Sequence, residues 1–346
     1  MRTIMTRVRI AAVVAGVWIG LTAGARARTQ EAALDPSLFK HVSHVGWVVK
    51  DLDSVVAHWE KLGVRNIRPA GIQDFPDVTW HGRSAPTKLK KAFVDIGDVT
   101  IQWIQPIAGE NAYSEFLEKH GDGIQHLAYS MPTAARWREQ IAAFRAKGVG
   151  VVQEGSWPGR NGRGLFAYLD TAERGGGLTI ELEQNPDAPS ASGPTAAAQE
   201  YPFTKIVQYA FVVRDVKKVS EFYASVGLGS LSIDRMVSTD RMYRGRPAPY
   251  EMYLGWGRNG DVPFEWIQPL VGPSVYEEYL EAHGEGFHHI ALNVHDIDAA
   301  IAQMKERGAS VTQSGGWDFP TSKGRFAYID TERFGGVTTE LLWNKP

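Results

Sequence analysis

The sequence repeats itself at two scales, and the repetition limits the folds open to it. The block "IQWIQPIAGENAYSEFLEKHGDGIQHLAY" from Ile101 returns as "FEWIQPLVGPSVYEEYLEAHGEGFHHIAL" from Phe264. Likewise "GLFAYLDTAERGGGLTIELEQN" from Gly164 returns as "GRFAYIDTERFGGVTTELLWN" from Gly324. The offsets are 163 and 160 residues and block order is kept, so the chain carries a duplicated domain. A finer period runs inside each copy. Apolar runs open at His44, His126, Gln208 and His289, spaced by 82, 82 and 81 residues. Each leads into an Asp- or Thr-marked helix start, an amphipathic helix ending at Gly, and strand-like segments parted by Gly, Pro and Asp. The reading is an α+β chain of four βαβββ modules. Solenoid repeats run roughly 20–50 residues, so this period is too long for one. Pairing the modules lets each cover its helix and its sheet face.

The copies are expected at residues 40–186 and 201–346, joined by a Pro-, Ala- and Ser-rich linker over 187–200. Residues 1–27 read as a signal peptide. Arg2, Arg7 and Arg9 precede an apolar or Gly run from Ile10 to Leu21, and Ala25-Arg26-Ala27 is an A-x-A cleavage site. That run is shorter than the roughly 20 residues a spanning helix needs. The expectation is a periplasmic or secreted protein with no stable membrane insertion after cleavage. The absence of cysteine excludes disulfides, thiolate metal sites and cysteine nucleophiles. A formal charge of −2 gives no global basic field for nucleic acid, so no nucleic-acid partner is expected.

Polar residues recur where strand alternation alone does not explain them. The first strand of each module holds His44, His126, Gln208 or His289; the last holds Gln102, Glu181, Glu265 or Glu340. Alternation puts His44 with Gly46 and Val48, opposite Val45, Trp47 and Val49, and puts Glu181 opposite Ile180 and Leu182. Pairing modules then gives two sets: His44, Gln102, His126 and Glu181, and Gln208, Glu265, His289 and Glu340. A buried carboxylate needs a partner, and a divalent cation is an effective one. Imidazole, amide oxygen and carboxylate suit Mn, Fe, Co, Ni, Zn or Mg. A hydrogen-bonded cleft without metal is the alternative. Tyr129, Trp47 and Trp103 read as core packing more than pocket lining. His120 and His283 read as helix-end residues, and "WPGRNGRG" and "WDFPTSKGR" as loops whose Arg160, Arg163, Lys323 and Arg325 are exposed charge. There is no P-loop, dinucleotide fingerprint or serine elbow.

The motifs "SHVGWVVKDLDSVVAHW", "GDGIQHLAY", "GEGFHHIAL", "IELEQN" and "TELLWN" resemble the vicinal-oxygen-chelate superfamily. Its members include glyoxalase I, methylmalonyl-CoA epimerase, extradiol dioxygenases and bleomycin-resistance proteins. The resemblance covers about residues 40–345 and implies two tandem domains of that fold. His44, Gln102, His126 and Glu181 match the metal-ligand order of the epimerase branch. Gln208, Glu265, His289 and Glu340 resemble the order in glyoxalase I. The resemblance implies that Glu181 and Glu340 are both ligands and catalytic bases. It implies an isomerase, epimerase or glyoxalase-like lyase, moving a proton next to a carbonyl through a metal-stabilised enolate. Its partner is a small-molecule substrate with neighbouring oxygens. A secretion signal argues against thioester or glutathione substrates.

Two other readings stand beside this one. In an extradiol-type dioxygenase, His44, His126 and Glu181 would be the two-histidine-one-carboxylate triad. Against it, the second domain opens with Gln208 and Gln102 is an extra ligand. The third reading is a non-catalytic small-molecule-binding or resistance protein. Each site is completed within one chain, so a monomer or homodimer is expected.

Overall fold

The computed structural model describes residues 33–187, 199–258 and 260–345. The expected signal peptide and most of the expected linker lie outside the described residues. Among these residues, no helix is long and apolar enough to cross a membrane.

The first half runs β1 (His44–Val48), α1 (Leu52–Leu62), β2 (Arg68–Phe75), β3 (Val78–Trp80), β4 (Arg83–Ser84), β5 (Thr87–Ile96), β6 (Val99–Ala108), α2 (Ala112–His120), β7 (Gly123–Ser130), α3 (Ala134–Ala146), β8 (Val151–Gly159), β9 (Gly162–Leu169) and β10 (Thr179–Gln184). The second half repeats the series. It runs β11 (Ile206–Val212), α4 (Val216–Val226), β12 (Ser232–Met236), β13 (Thr239–Tyr243), β14 (Arg246–Pro247), β15 (Glu251–Gly257), β16 (Phe264–Val271), α5 (Val275–His283), β17 (Gly286–Asn293), α6 (Ile297–Glu306), β18 (Val311–Phe319), β19 (Ser322–Ile329) and β20 (Thr338–Asn344). Each half forms one curled ten-stranded sheet. The orders are β2-β5-β6-β1-β7-β10-β9-β8-β3-β4 and β12-β15-β16-β11-β17-β20-β19-β18-β13-β14.

Local chemistry explains the elements. Asp51 caps α1 by accepting from the Ser54 N–H, and Gly63, at φ 108°, ends it in the left-handed region. Asp215 and Gly227 do the same for α4. The modules in a half are not independent, because the β3–β4 hairpin of the first module pairs with β8 of the second. The same crossing recurs between β13 and β18.

The two segments read as loops are strands. "WPGRNGRG" folds as the β8–β9 hairpin and "WDFPTSKGR" as the β18–β19 hairpin. Trp157 pairs across the strands with Gly164, and Trp317 with Gly324. Each indole lies over its glycine, where a Cβ would sit 2.0 Å or 2.1 Å from the ring. The cross-strand Trp–Gly contact therefore holds in register a Gly-rich stretch that reads as a turn. The charges there are exposed as expected: Arg325 pairs with Asp298 at 2.8 Å and Lys323 with Asp318 at 2.5 Å.

The face of each sheet that carries the helices packs into one continuous core shared by both halves. Trp47, Trp59 and Trp103 belong to it together with Phe203, Phe211 and Trp266, and so does Tyr129. The opposite, concave faces hold two separate clusters, one around Leu89, Tyr113 and Tyr168, the other around Tyr250, Tyr276 and Tyr328. The repeated Gly-rich turns fasten the halves together. Trp47 Nε1 donates to the Gly335 carbonyl at 2.5 Å, and Trp266 Nε1 to the Gly175 carbonyl at 3.2 Å. His120 and His283 do close helices, but each ring does more than sit at a helix end. His120 Nδ1 donates to the His283 carbonyl and His283 Nδ1 to the His120 carbonyl, both at 2.9 Å.

Candidate metal centre

β1, β7 and β10 are neighbours near the middle of the first sheet, and each brings one polar side chain to the concave face. His44 Nε2 and His126 Nε2 each lie 3.0 Å from Glu181 Oε2. One donor atom from each of the three residues falls within 4.8 Å of the others. His126 is held from behind. Its Nδ1 donates to Gln125 Oε1 at 3.0 Å, Gln125 Nε2 donates to the Ala112 carbonyl at 2.6 Å, and the ring stacks on Tyr168 at 4.6 Å. With Nδ1 carrying the proton, the Nε2 lone pair points into the cluster; that atom is buried and has no hydrogen-bond partner. Gln102 and His126 flank Gly46 from either side in the sheet. Gln102 lines the same cavity as His44 and Glu181, with a volume of about 540 Å³.

The electrostatics favour positive charge. Burial alone would lower the His44 pKa, but the Glu181 and Glu183 carboxylates outweigh it and raise the imidazole to about 10. Burial alone would raise Glu181, but His44 and His126 hold it well below the usual carboxylate range. A proton on His44 thus meets a demand for charge that a divalent cation would also meet.

Sequence reading missed two residues of this site. Glu183 follows Glu181 by one alternation step and shares its face. Its Oε1 accepts from Ser43 Oγ at 2.9 Å and Ser130 Oγ at 2.8 Å, and its Oε2 lies 3.6 Å from His44 Nδ1. Period-two alternation in "IELEQ" carries that signal. Lys91 lines the cavity from β5 beside Leu89 and Phe93. Burial lowers its ammonium to about 8, against the opposing pull of Glu181 and Glu183. The run "KLKK" hides which lysine faces inward.

The second half gathers the other four expected residues. Gln208 Nε2 donates to Glu265 Oε2 at 2.9 Å, and His289 Nε2 lies 3.2 Å from Glu340 Oε2 and 3.8 Å from Glu265 Oε2. None of the four is more than 6% exposed. Burial raises both carboxylates, Glu340 to about 8, and the Glu340 charge raises Glu265 further. Burial lowers His289 to about 3. Glu340 Oε2 has no hydrogen-bond partner. Two buried carboxylates beside a neutral imidazole form a donor set that fits a cation.

This second cluster lies under larger side chains than the first. At the 163-residue offset, Thr87, Leu89, Lys91 and Phe93 become Tyr250, Met252, Leu254 and Trp256. Tyr250 is fully buried and donates to the Ser314 carbonyl at 2.6 Å, filling the volume that Thr87 leaves open in the first half.

A family model described as the glyoxalase/bleomycin resistance protein/dioxygenase superfamily matches residues 43–168 and again residues 207–328. The uncharacterized protein YqjC of Bacillus subtilis is 30% identical over 95 residues, which are 28% of this chain and 64% of that protein. The match therefore spans less than two thirds of that relative. A mutant of 4-hydroxymandelate synthase from Streptomyces coelicolor superposes with a TM-score of 0.59 at 16% identity, covering 88% of this chain and 93% of that one. A Mn(II)-bound glyoxalase from Novosphingobium aromaticivorans gives 0.48 at 16% identity, over 88% and 82% of the two chains.

Proposed function

The chain belongs to the glyoxalase/bleomycin resistance protein/dioxygenase superfamily, and from that premise we propose that it is a divalent-metal-dependent enzyme working at the open cluster of its first half. The reaction is proton transfer next to a carbonyl on a small oxygenated substrate, an isomerase, epimerase or glyoxalase-like lyase activity. The observation that carries this reading is the convergence of His44, His126 and Glu181 within 4.8 Å, with His44 and Glu181 at the wall of a cavity and His126 buried behind them.

His44, His126 and Glu181, with Gln102 beside them, would hold the ion; Mn, Fe, Co, Ni, Zn and Mg all suit such donors. When bound, the ion supplies Lewis-acid stabilisation of negative charge on the substrate oxygens. Gln125 and Tyr168 keep His126 in its donor orientation. Glu181 faces the cavity and is the base that the ligand pattern implies. Glu183, steadied by two hydroxyls and not needed as a ligand, is a second carboxylate able to hold the proton. Glu340 lies under larger side chains, so the second cluster serves as a structural cation site. Residues 1–27 act as a cleaved export signal, and the intact mass of exported protein tests this.

The test is metal content by inductively coupled plasma mass spectrometry on untagged mature protein, followed by solvent deuterium exchange into α-hydroxy ketones. About one to two equivalents of metal are expected, with one lost in His126→Asn. No metal after reloading overturns the reading and leaves a non-catalytic binding protein. One observation favours a second reading, an extradiol-type dioxygenase: the converging group is two histidines and one carboxylate. Oxygen uptake with a catechol by the Fe(II)-loaded protein, without deuterium exchange, would select it.

A further inference from the structure

Three lysines lie close together on β5, and they are treated differently. Lys88 pairs with Asp74 at 3.2 Å and Lys90 with Asp53 at 2.6 Å, both on the outside. Lys91 turns into the cavity and forms no ion pair within 4.0 Å among the described residues; its ammonium rests 4.5 Å from the Phe75 ring centroid. A cation held over an aromatic face near carboxylates, with no anion touching it, is placed to receive one.

The duplication supplies an internal control. At the register of Lys91 the second half has Leu254, and at the register of Glu183 it has Leu342. The inward lysine therefore accompanies the open cavity and is absent where larger side chains cover the cluster. The cavity wall is largely polar but also carries Phe75, Leu89, Phe93, Trp157 and Phe166, so a bound molecule would meet aromatic rings on part of its surface. Glu181 and Glu183 line it as well, while Asp74, exposed at its rim, is already paired with Lys88. One ammonium with no anion of its own matches one carboxylate.

We infer that Lys91 is a specificity-determining residue that selects substrates carrying a single carboxylate on a small aromatic frame, apart from the neighbouring oxygens offered to the metal. This rests on the metal-site reading above. The probes are 3,4-dihydroxybenzoate and its neutral isostere 3,4-dihydroxybenzamide, which share the same oxygen pair. Their affinities are measured by calorimetry on Mn(II)-loaded and metal-free protein, with metal content read on each sample.

Wild type is expected to bind the acid at least about tenfold more tightly than the amide, the loss typical of one charged hydrogen bond. Lys91→Met and Lys91→Leu, the latter copying the residue the second half already holds, are expected to bring the ratio near unity with metal content and amide binding unchanged. Lys91→Arg should keep the preference. An unchanged ratio in Lys91→Met, no preference in wild type, or no binding of either probe to fully loaded protein would overturn the inference. Absence of metal instead sinks the metal-site reading, and the acid-to-amide ratio in the metal-free protein then decides the role of Lys91 by itself.

Discussion

Gly46 sits between Gln102 and His126, and the His126 imidazole occupies the space a Cβ at residue 46 would need, 1.9 Å from its Cε1 and Nε2. His126 is fully buried and stacked on Tyr168, so its ring would have to shift against Tyr168 and away from its present place in the cluster. Gly46→Ala is therefore expected to weaken metal binding in the first half by about 10- to 100-fold, as when the support of a ligand is lost. The second half should be unaffected; it already has Ala210 at that register beside His289. Chelator competition, counting equivalents retained, checks this. A second prediction concerns His58, away from both clusters. Burial, then Arg333 and Lys61, lower its pKa from 6.5 to about 4. The unfolded chain thus takes up a proton before the folded one does. Stability is full above pH 6.5 and falls as pH drops towards 4. Urea titrations across this range should show His58→Asn losing less stability than wild type, by about 1–2 kcal/mol once solvent at the ring edge is allowed for.

Among the elements, β5 and β15 decide how far each concavity is filled. Thr87 and Tyr250 occupy equivalent positions, both buried, yet Tyr250 carries a ring into the second concavity and anchors it on Ser314. Tyr250→Thr should leave a void and an unpaired carbonyl, costing about 3–4 kcal/mol in chemical denaturation. A loss below about 1 kcal/mol would mean that the concavity collapses readily and that Tyr250 is not what fills it. The modules and the eight clustered residues were legible from period and alternation, because both are local properties of a strand. The same rule pointed to Glu183 but was not carried one step beyond Glu181. Lys91 was harder to see, since three of the four residues in "KLKK" are lysines and the facing one emerges only from the β5–β6 register. The β3–β4 hairpin joining the other module's edge is a non-local pairing, which no pattern within "VTWHGRS" encodes. The Trp–Gly hairpins were misread because glycine signals a turn unless a cross-strand indole covers it.

At the scale of the molecule, the duplication pointed to two tandem domains, and the family model matches each half in turn; the described residues of both halves also pack together in one compact unit. Repeat matching finds what the halves share; a joint core depends on how they dock. Trp59 meets Phe203 of the other half at 5.9 Å, and its Nε1 donates to the Phe334 carbonyl at 3.2 Å, so neither half alone could cover its own aromatics. The Gly335–Gly336 turn is one of the tight parts of this junction. Gly336 has φ +75°, and a Cβ there would stand 1.7 Å from the Asp122 carbonyl oxygen of the first half. Gly336→Ala combines left-handed strain with a clash against backbone, and is expected to cost about 2–4 kcal/mol. The junction and the core are shared, so the loss should lower the melting temperature of the whole chain and leave one calorimetric transition in wild type and variant alike. If the variant instead melts in two steps, with the second near the wild-type temperature, one half is stable without the other. The shared aromatic core would then be a docking surface between two self-sufficient domains.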